Sequence, residues 1–263
     1  MKIKAKKSLG QNFLIDKNVI KKIVNVGNIL PKSSILEIGA GTGNLTECIL
    51  NKNPKKIFII EKDERLVEKL KIRFNNKIEI INKDVLTVKE NFICSDKLIV
   101  YGNLPYNIST QILSKWITND FKEVWFENFI LMFQKEVADR ILAQTNSKNY
   151  GRLSILSNWK LFVKKVFNIN SSCFNPKPKV QSTLLMFSPR KSYPKLENSK
   201  NLEFVTRIFF NQRRKKIKKP LNQLFKKPNE IVEKFKLNIN LRPQNLSPDI
   251  YYKIAKEYEK LRK

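Results

Sequence analysis

Residues 36–46 read LEIGAGTGNLT: an apolar run, glycines at 39, 41 and 43, and the opening of an amphipathic stretch. A glycine-rich turn between a strand and a helix lets the backbone approach a ligand closely at the carboxyl edge of a parallel sheet. The dinucleotide fingerprint GxGxxG would require a third glycine at 44, and that residue is Asn44. With no glycine in pyrophosphate register, the turn favours a ligand that lacks a pyrophosphate. A glycine turn alone is equally compatible with a simple tight turn, so its surroundings decide the reading.

Outward from this turn, apolar strands alternate with helical stretches. SILEI (34–38), KIFIIE (56–61), IEIIN (78–82), KLIVYG (97–102) and FILMF (129–133) are dense in Ile, Val, Leu and Phe, as in strands covered on both faces. Between them LTECILNK (45–52) and DERLVEKLKIRF (63–74) carry apolar residues at helical spacing. The pattern predicts an α/β, Rossmann-like doubly wound sheet. Ahead of it, Asp16 is placed to cap a helix over 17–26 whose Val19, Ile20, Ile23 and Val24 form one face. KEVADRILA (135–143) and GRLSILSNWKLF (151–162) read as helices, and VKKVFNI (163–169) and VQSTLLMF (180–187) as late strands.

The Pro- and Lys-rich SPRKSYPKLENSK (188–200) has little to pack, which places a boundary between a domain over 1–189 and a small helical basic domain over 190–263. There FVTRIFFNQRRKKIKK (204–219), PLNQLF (220–225), EIVEKF (230–235) and SPDIYYKIAKEYEKL (247–261) read as helices. The run RRKKIKK (213–219) would circle a helix, not line one side of it.

Composition narrows the chemistry. Of 263 residues 52 are Lys or Arg and 23 Asp or Glu, a net charge of +29, which attracts polyanions and points to nucleic acid. The wealth of Lys, Asn and Ile also fits an AT-rich coding bias. There is no histidine, which removes imidazole bases and His metal ligands. Cys48, Cys94 and Cys173 lack CxxC spacing, so no metal cluster or disulfide framework is expected. No apolar run is long enough for a membrane span, and the polar start lacks a signal segment, so a cytoplasmic protein is expected.

Polar groups end successive strands on the glycine edge: Glu61 about 20 residues after the glycines, Asp84 in NKDVL, and Asn103 in YGNLPYNIST (101–110). Glu61 suits ribose hydroxyls and Asp84 an adenine edge. Taken singly, each also suits a cap or a turn, and Asp63 beside Glu61 already suits a helix cap. The ordered set ExGxGxG from Glu37, Glu61, Asp84 and Asn103-Leu104-Pro105-Tyr106 resembles the S-adenosylmethionine-dependent rRNA adenine dimethyltransferases. QNFLID (11–16), GNLPYNIST (102–110), QKEVADRILA (134–143), YGRLS (150–154) and FNPKPKVQST (174–183) extend the likeness, specifically to the bacterial small-subunit subfamily. Ala40 stands where many members carry proline.

The resemblance implies a cofactor, S-adenosyl-L-methionine, held by Asn12, Leu14, Gly39, Gly41, Glu61, Asp84, Val85 and Asn103. It implies that Asn103, Leu104, Pro105 and Tyr106 hold the target adenine. The Asn103 side-chain oxygen and the Leu104 carbonyl accept the two amine hydrogens, Pro105 rigidifies the turn, and Tyr106 stacks the extruded base. Phe174 is expected as the opposite wall, and Arg213, Arg214, Lys215 and Lys216 as contacts to rRNA phosphates. The implied reaction is dimethylation of two adjacent adenines in the 3′-terminal hairpin of 16S rRNA of the small ribosomal subunit, by a monomer, without metal or membrane. The alternatives are a large-subunit rRNA adenine methyltransferase of the macrolide-resistance type, a non-catalytic RNA-binding assembly factor, and a DNA adenine methylase. For the last, no groove-reading domain is evident.

Overall fold

A computed structural model describes residues 4–119 and 124–261. In chain order the elements are β1 (Phe13–Leu14), α1 (Lys17–Val26), β2 (Ser34–Ile38), α2 (Asn44–Leu50), β3 (Lys56–Ile60), α3 (Glu64–Phe74), β4 (Glu79–Ile81), β5 (Leu98–Gly102), α4 (Ser109–Thr118) and β6 (Phe126–Gln134). They continue as α5 (Lys135–Ile141), α6 (Arg152–Lys160), β7 (Leu161–Ile169), β8 (Phe174–Asn175), β9 (Ser182–Pro189), α7 (Lys200–Asn211), α8 (Lys218–Leu224), α9 (Pro228–Lys234) and α10 (Pro248–Lys260).

Seven strands form one sheet in the order β4-β3-β2-β5-β6-β9-β7. The pairs among β4, β3, β2, β5 and β6 are parallel, and β9 runs antiparallel to β6. From β2 the chain winds outward through β3 and β4, then returns to β5 on the other side of β2. The carboxyl ends of β2 and β5 therefore diverge at a switch point, where α/β sheets bind ligands. All five residues of β2 and all five of β5 are buried, which is why both segments read as continuous apolar runs.

Local chemistry sets the helix starts. The Asp16 carboxylate accepts from Asn18 N and Val19 N at 2.9 and 3.0 Å, and Ile20, Ile23 and Val24 are buried, as the spacing predicted. Asp63 caps α3 by accepting from Arg65 N. Gly43 precedes α2 at φ +83°, and a Cβ there would lie 2.5 Å from Phe74 Cε2, so both backbone conformation and space require glycine. A two-stranded ribbon that the sequence did not suggest pairs β1 with β8, Phe13 opposite Asn175 and Leu14 opposite Phe174.

The chain divides into two compact units, one comprising residues 4–112, 124–138 and 164–189, the other 113–119, 139–163 and 190–261. The second unit is thus larger than the 190–263 segment expected from composition. Its added pieces mix apolar and polar residues and contain no proline to mark a boundary in sequence. Within it Phe204 stacks on Tyr258 with centroids 5.3 Å apart, and Tyr252 donates to Ile155 O at 3.0 Å.

The Pro- and Lys-rich stretch has more partners than its composition suggested. Trp159 Nε1 donates to Pro194 O at 2.8 Å, and the Glu259 carboxylate accepts from Glu197 N, Asn198 N and Asn201 Nδ2. The single helix read over 204–219 is also corrected. α7 stops at Asn211, residues 212–217 form a turn with Ile217 fully buried, and α8 begins at Lys218. Burial of one Ile within a charged run bends the chain there, and the basic cluster consequently sits on a turn.

Candidate active site

At the carboxyl ends of β2, β3 and β5 lies a cavity of about 190 Å³. Gly39, Gly41, Glu61, Asp84, Val85, Asn103, Leu104, Pro105 and Tyr106 line it, together with residues 8–13 of the N-terminal arm, Asn12 among them. Residues distant in sequence share one cavity because each follows a neighbouring parallel strand.

The glycine turn is tied to the end of β3 by hydrogen bonds. Gly39 N donates to Ile60 O at 2.9 Å, and Gly41 N donates to Glu61 Oε2 at 3.1 Å. Glu61 Oε1 accepts from Lys62 N and Asp63 N at 2.9 and 3.0 Å. Burial raises the pKa of this carboxyl, opposed by the three backbone N–H groups. A carboxylate offers about four lone-pair positions, so Oε2 keeps one for a further donor.

Asp84 caps a short turn through Leu86 N at 2.9 Å, and its other oxygen pairs with Lys62 Nζ at 2.9 Å. Below the glycine turn, Glu37 is buried and accepts from Thr46 Oγ1 at 2.7 Å. Burial pushes its pKa up to about 7; the Thr46 bond opposes this and nearby Glu61 adds to it.

The arm over the cavity is fastened on two sides. Gln11 Nε2 donates to Asp63 Oδ2 at 2.9 Å, and Lys6 N donates back to Gln11 Oε1 at 2.8 Å. Asp63 also receives Arg65 Nε at 3.0 Å and Nη2 at 2.6 Å, with Lys6 Nζ 3.6 Å away. The Arg65 guanidinium above all holds this carboxyl well below the usual range. On the other side, Asn103 Nδ2 donates to Asn12 O at 2.7 Å. Neither Asp63 nor Gln11 was expected in this role. Asp63 read as a helix cap, which it also is, and its second role depends on a contact 52 residues away.

The Asn12 carbonyl can only accept, so the nitrogen of the Asn103 amide must face it. Oδ1 is the Asn103 atom left to accept from a ligand. Leu104 buries its side chain, which would lie 2.8 Å from a Cβ at Gly102. Among the described residues no backbone donor reaches the Leu104 oxygen. Asn103 and Leu104, each with an oxygen left to accept, both line the cavity. Tyr106 lies beside them with its hydroxyl 2.6 Å from Ser182 Oγ.

Two expected residues, Phe174 and Leu14, are not in the lining of this cavity. Phe174 is buried in the core opposite Leu14 and is absent from the cavity lining, because its pairing with β1 turns its ring inward. Leu14 is buried but lines a smaller cavity with Gly39, Gly41 and Asn103, and its carbonyl accepts from Asn44 Nδ2 at 2.9 Å. Of the basic run, Arg213 donates to Lys148 O and Lys216 Nζ to Asn240 Oδ1, while Arg214 and Lys215 are exposed. No group of three metal-binding side chains occurs among the described residues.

A cavity at the switch point of a mostly parallel sheet, lined by a glycine turn without pyrophosphate register and by the polar groups that end successive strands, is the arrangement of the S-adenosylmethionine-dependent methyltransferase class. Comparison with known proteins carries this further. The chain belongs to the ribosomal RNA adenine dimethylase family, whose profile matches residues 2–260. It is 58% identical over 262 residues to "Ribosomal RNA small subunit methyltransferase A" of Pelagibacter ubique (strain HTCC1062), covering 100% of both chains. A dimethyladenosine transferase from Plasmodium falciparum superposes with a TM-score of 0.81 at 30% identity, covering 94% of this chain and 98% of that one. The 23S rRNA methyltransferase ErmE shares the fold, with a TM-score of 0.67 at 21% identity over 95% of this chain and 100% of that one.

Proposed function

We propose that the protein dimethylates the exocyclic amines of two adjacent adenines in the 3′-terminal hairpin of 16S rRNA in the small ribosomal subunit. The observation that carries this is the Asn103 amide: its nitrogen is committed to Asn12 O, which leaves Oδ1 as the atom that can accept, with Leu104 following it in the cavity lining. An adenine amine has a lone pair delocalised into the ring. Two converging acceptors hold its hydrogens so that the lone pair is aimed across the cavity. The 58% identity to a small-subunit relative favours that subunit over the large one.

The residues present fit S-adenosylmethionine. A Cβ at Gly39 would stand 3.7 Å from Asn103 O, so glycine there keeps open the space between the turn and the acceptors. Gly39, Gly41, Asn12 and Asn103 would hold its methionine part, Oε2 of Glu61 a ribose hydroxyl, and Asp84 with Val85 its adenine. When bound, it supplies an electrophilic sulfonium methyl. Leu14 acts from behind, its carbonyl fixing Asn44 at the start of α2.

Asn103 and Leu104 orient the amine, Pro105 sets the turn, and Tyr106 carries the extruded base, which cannot be reached inside a stacked helix. Phe174, buried opposite Leu14, would form the second wall of the base pocket once the base enters beside Tyr106. No histidine is required, because the amine becomes acidic as it gains the methyl group and water can take its proton. Arg214 and Lys215, with Arg213 and Lys216 beside them, grip rRNA phosphates from the second unit.

The test is methylation of small subunits lacking these modifications, with the modified positions mapped. Dimethyladenosine at two adjacent adenines of 16S rRNA is the expected result. Label confined to large-subunit rRNA, or binding of subunits without transfer, would overturn the reading in favour of a large-subunit enzyme or a non-catalytic assembly factor.

A further inference from the structure

The 2.6 Å contact between the Tyr106 and Ser182 hydroxyls joins a turn and a strand of the first unit. Ser182 opens β9, is fully buried, and faces Gln134 in the β6-β9 ladder. One residue on, Lys135 N donates to Gln181 O at 2.9 Å, so the backbone is held on both sides of the hydroxyl. Tyr106 instead belongs to the turn between β5 and α4. A tyrosine ring on a turn swings about its side-chain bonds. A hydrogen bond at the far end of the ring stops that swing and makes the ring a fixed surface. Burial raises the phenol pKa, against the Ser182 bond, so the hydroxyl stays protonated.

The consequence differs between the two methyl transfers. In each, the amine nitrogen takes the methyl carbon as the sulfur–carbon bond breaks with its electron pair going to sulfur, and one N–H proton leaves to solvent. Before the first transfer the amine offers two hydrogens to the Asn103 and Leu104 acceptors. Before the second it offers one, so half of its polar orientation is gone. The pose of the monomethylated base then depends more heavily on stacking against Tyr106.

We propose that Ser182 is a positioning residue that acts through Tyr106, and that their hydrogen bond serves the second methyl transfer more than the first. This rests on the assignment of adenine dimethylation made above.

The experiment compares wild type, Ser182→Ala, Tyr106→Phe and the double variant on small subunits lacking the modification. N6-monomethyl- and N6,N6-dimethyladenosine are quantified by mass spectrometry at equal total methyl transferred, and thermal unfolding of each protein is recorded alongside. Each single variant should raise the ratio of mono- to dimethylated product about fivefold, the size of one neutral hydrogen bond. The double variant should do no more than either single one, because both remove the same bond. A wild-type ratio in folded Ser182→Ala, or effects that add in the double variant, would overturn the proposal. Should Ser182→Ala fail to fold, Tyr106→Phe decides alone, since it deletes the bond without opening space in β9. Wild type that makes no dimethyladenosine would instead overturn the underlying assignment.

Discussion

Asn103 Nδ2 lies 2.7 Å from the carbonyl oxygen of Asn12, joining the turn after β5 to the N-terminal arm across 91 residues of chain. This bond fixes the orientation of the amide and also holds the arm that covers the cavity. The proposed acceptor for the target and the arm at the cavity are therefore mechanically one assembly.

Substituting Asn103 separates the two roles. Asn103→Ala should lower kcat by about 10²- to 10³-fold, the range for loss of one preorganised polar group at a reacting centre. Asn103→Asp keeps an acceptor but sets a carboxylate against the Asn12 carbonyl, and the arm is repelled. It should weaken cofactor binding by about tenfold, the equivalent of one hydrogen bond. Calorimetric titration alongside single-turnover transfer separates these effects; equal cofactor affinity in wild type and Asn103→Asp would refute the coupling.

Asp63 holds the other edge of the arm. Asp63→Ala deletes the cap of α3 and the acceptor for Gln11 and Arg65, and should cost about 2 kcal/mol in urea unfolding. Because the carboxyl pKa is depressed in the folded protein, chiefly by Arg65, its contribution is present above the unfolded carboxylate range and is lost as pH falls. The stability difference between wild type and Asp63→Ala should therefore shrink on acidification, and a difference that grows would contradict the assignment.

Glu37 behaves in the opposite sense. Its pKa is raised from 4.5 to about 7, mainly by burial. The folded state then binds more protons than the unfolded one between those values, and stability falls as pH rises through them. The loss is on the order of 3 kcal/mol. Glu37→Gln retains an acceptor for Thr46 and should lack this slope, so the variant gains on wild type from pH 5 to pH 8 in denaturant titrations. Parallel profiles for the two proteins would count against an ionising carboxyl beneath the glycine turn.

Within the basic turn, Arg214 and Lys215 are exposed while Arg213 and Lys216 have protein partners. Neutralising Arg214 and Lys215 to Gln should weaken subunit binding and reduce the slope of log affinity against log salt by about 0.7 to 0.9 per lost phosphate contact. Transfer from the saturated complex should keep its rate. An unchanged salt slope would remove this turn from the RNA-binding surface.

Much of this was legible because it is periodic or local. The apolar strands, the glycine turn, the Asp16 cap and the polar strand ends could be read directly, since parallel strands place their carboxyl ends together whatever the loops between them do. Asp63 was visible only as a cap, and Phe174 as a candidate wall, because neither pattern carries information about partners more than 50 residues away. The helix read through 204–219 failed for a related reason: its charges and apolar residues fit a helical period, yet burial of Ile217 determined where the chain turns.

The sequence by itself determined the sheet, its ligand-binding edge and the chemical types gathered there, since these follow from apolar runs and from the residue that ends each strand. Only the tertiary structure decided that Asn12 orients the Asn103 amide, that Gln11 and Asp63 fasten the arm, that Ser182 fixes Tyr106, and that Phe174 belongs to the core. The physical reason is that a hydrogen bond depends on distance and direction to within fractions of an ångström. Residue order alone does not encode which distant groups meet at that separation; packing of the whole unit does.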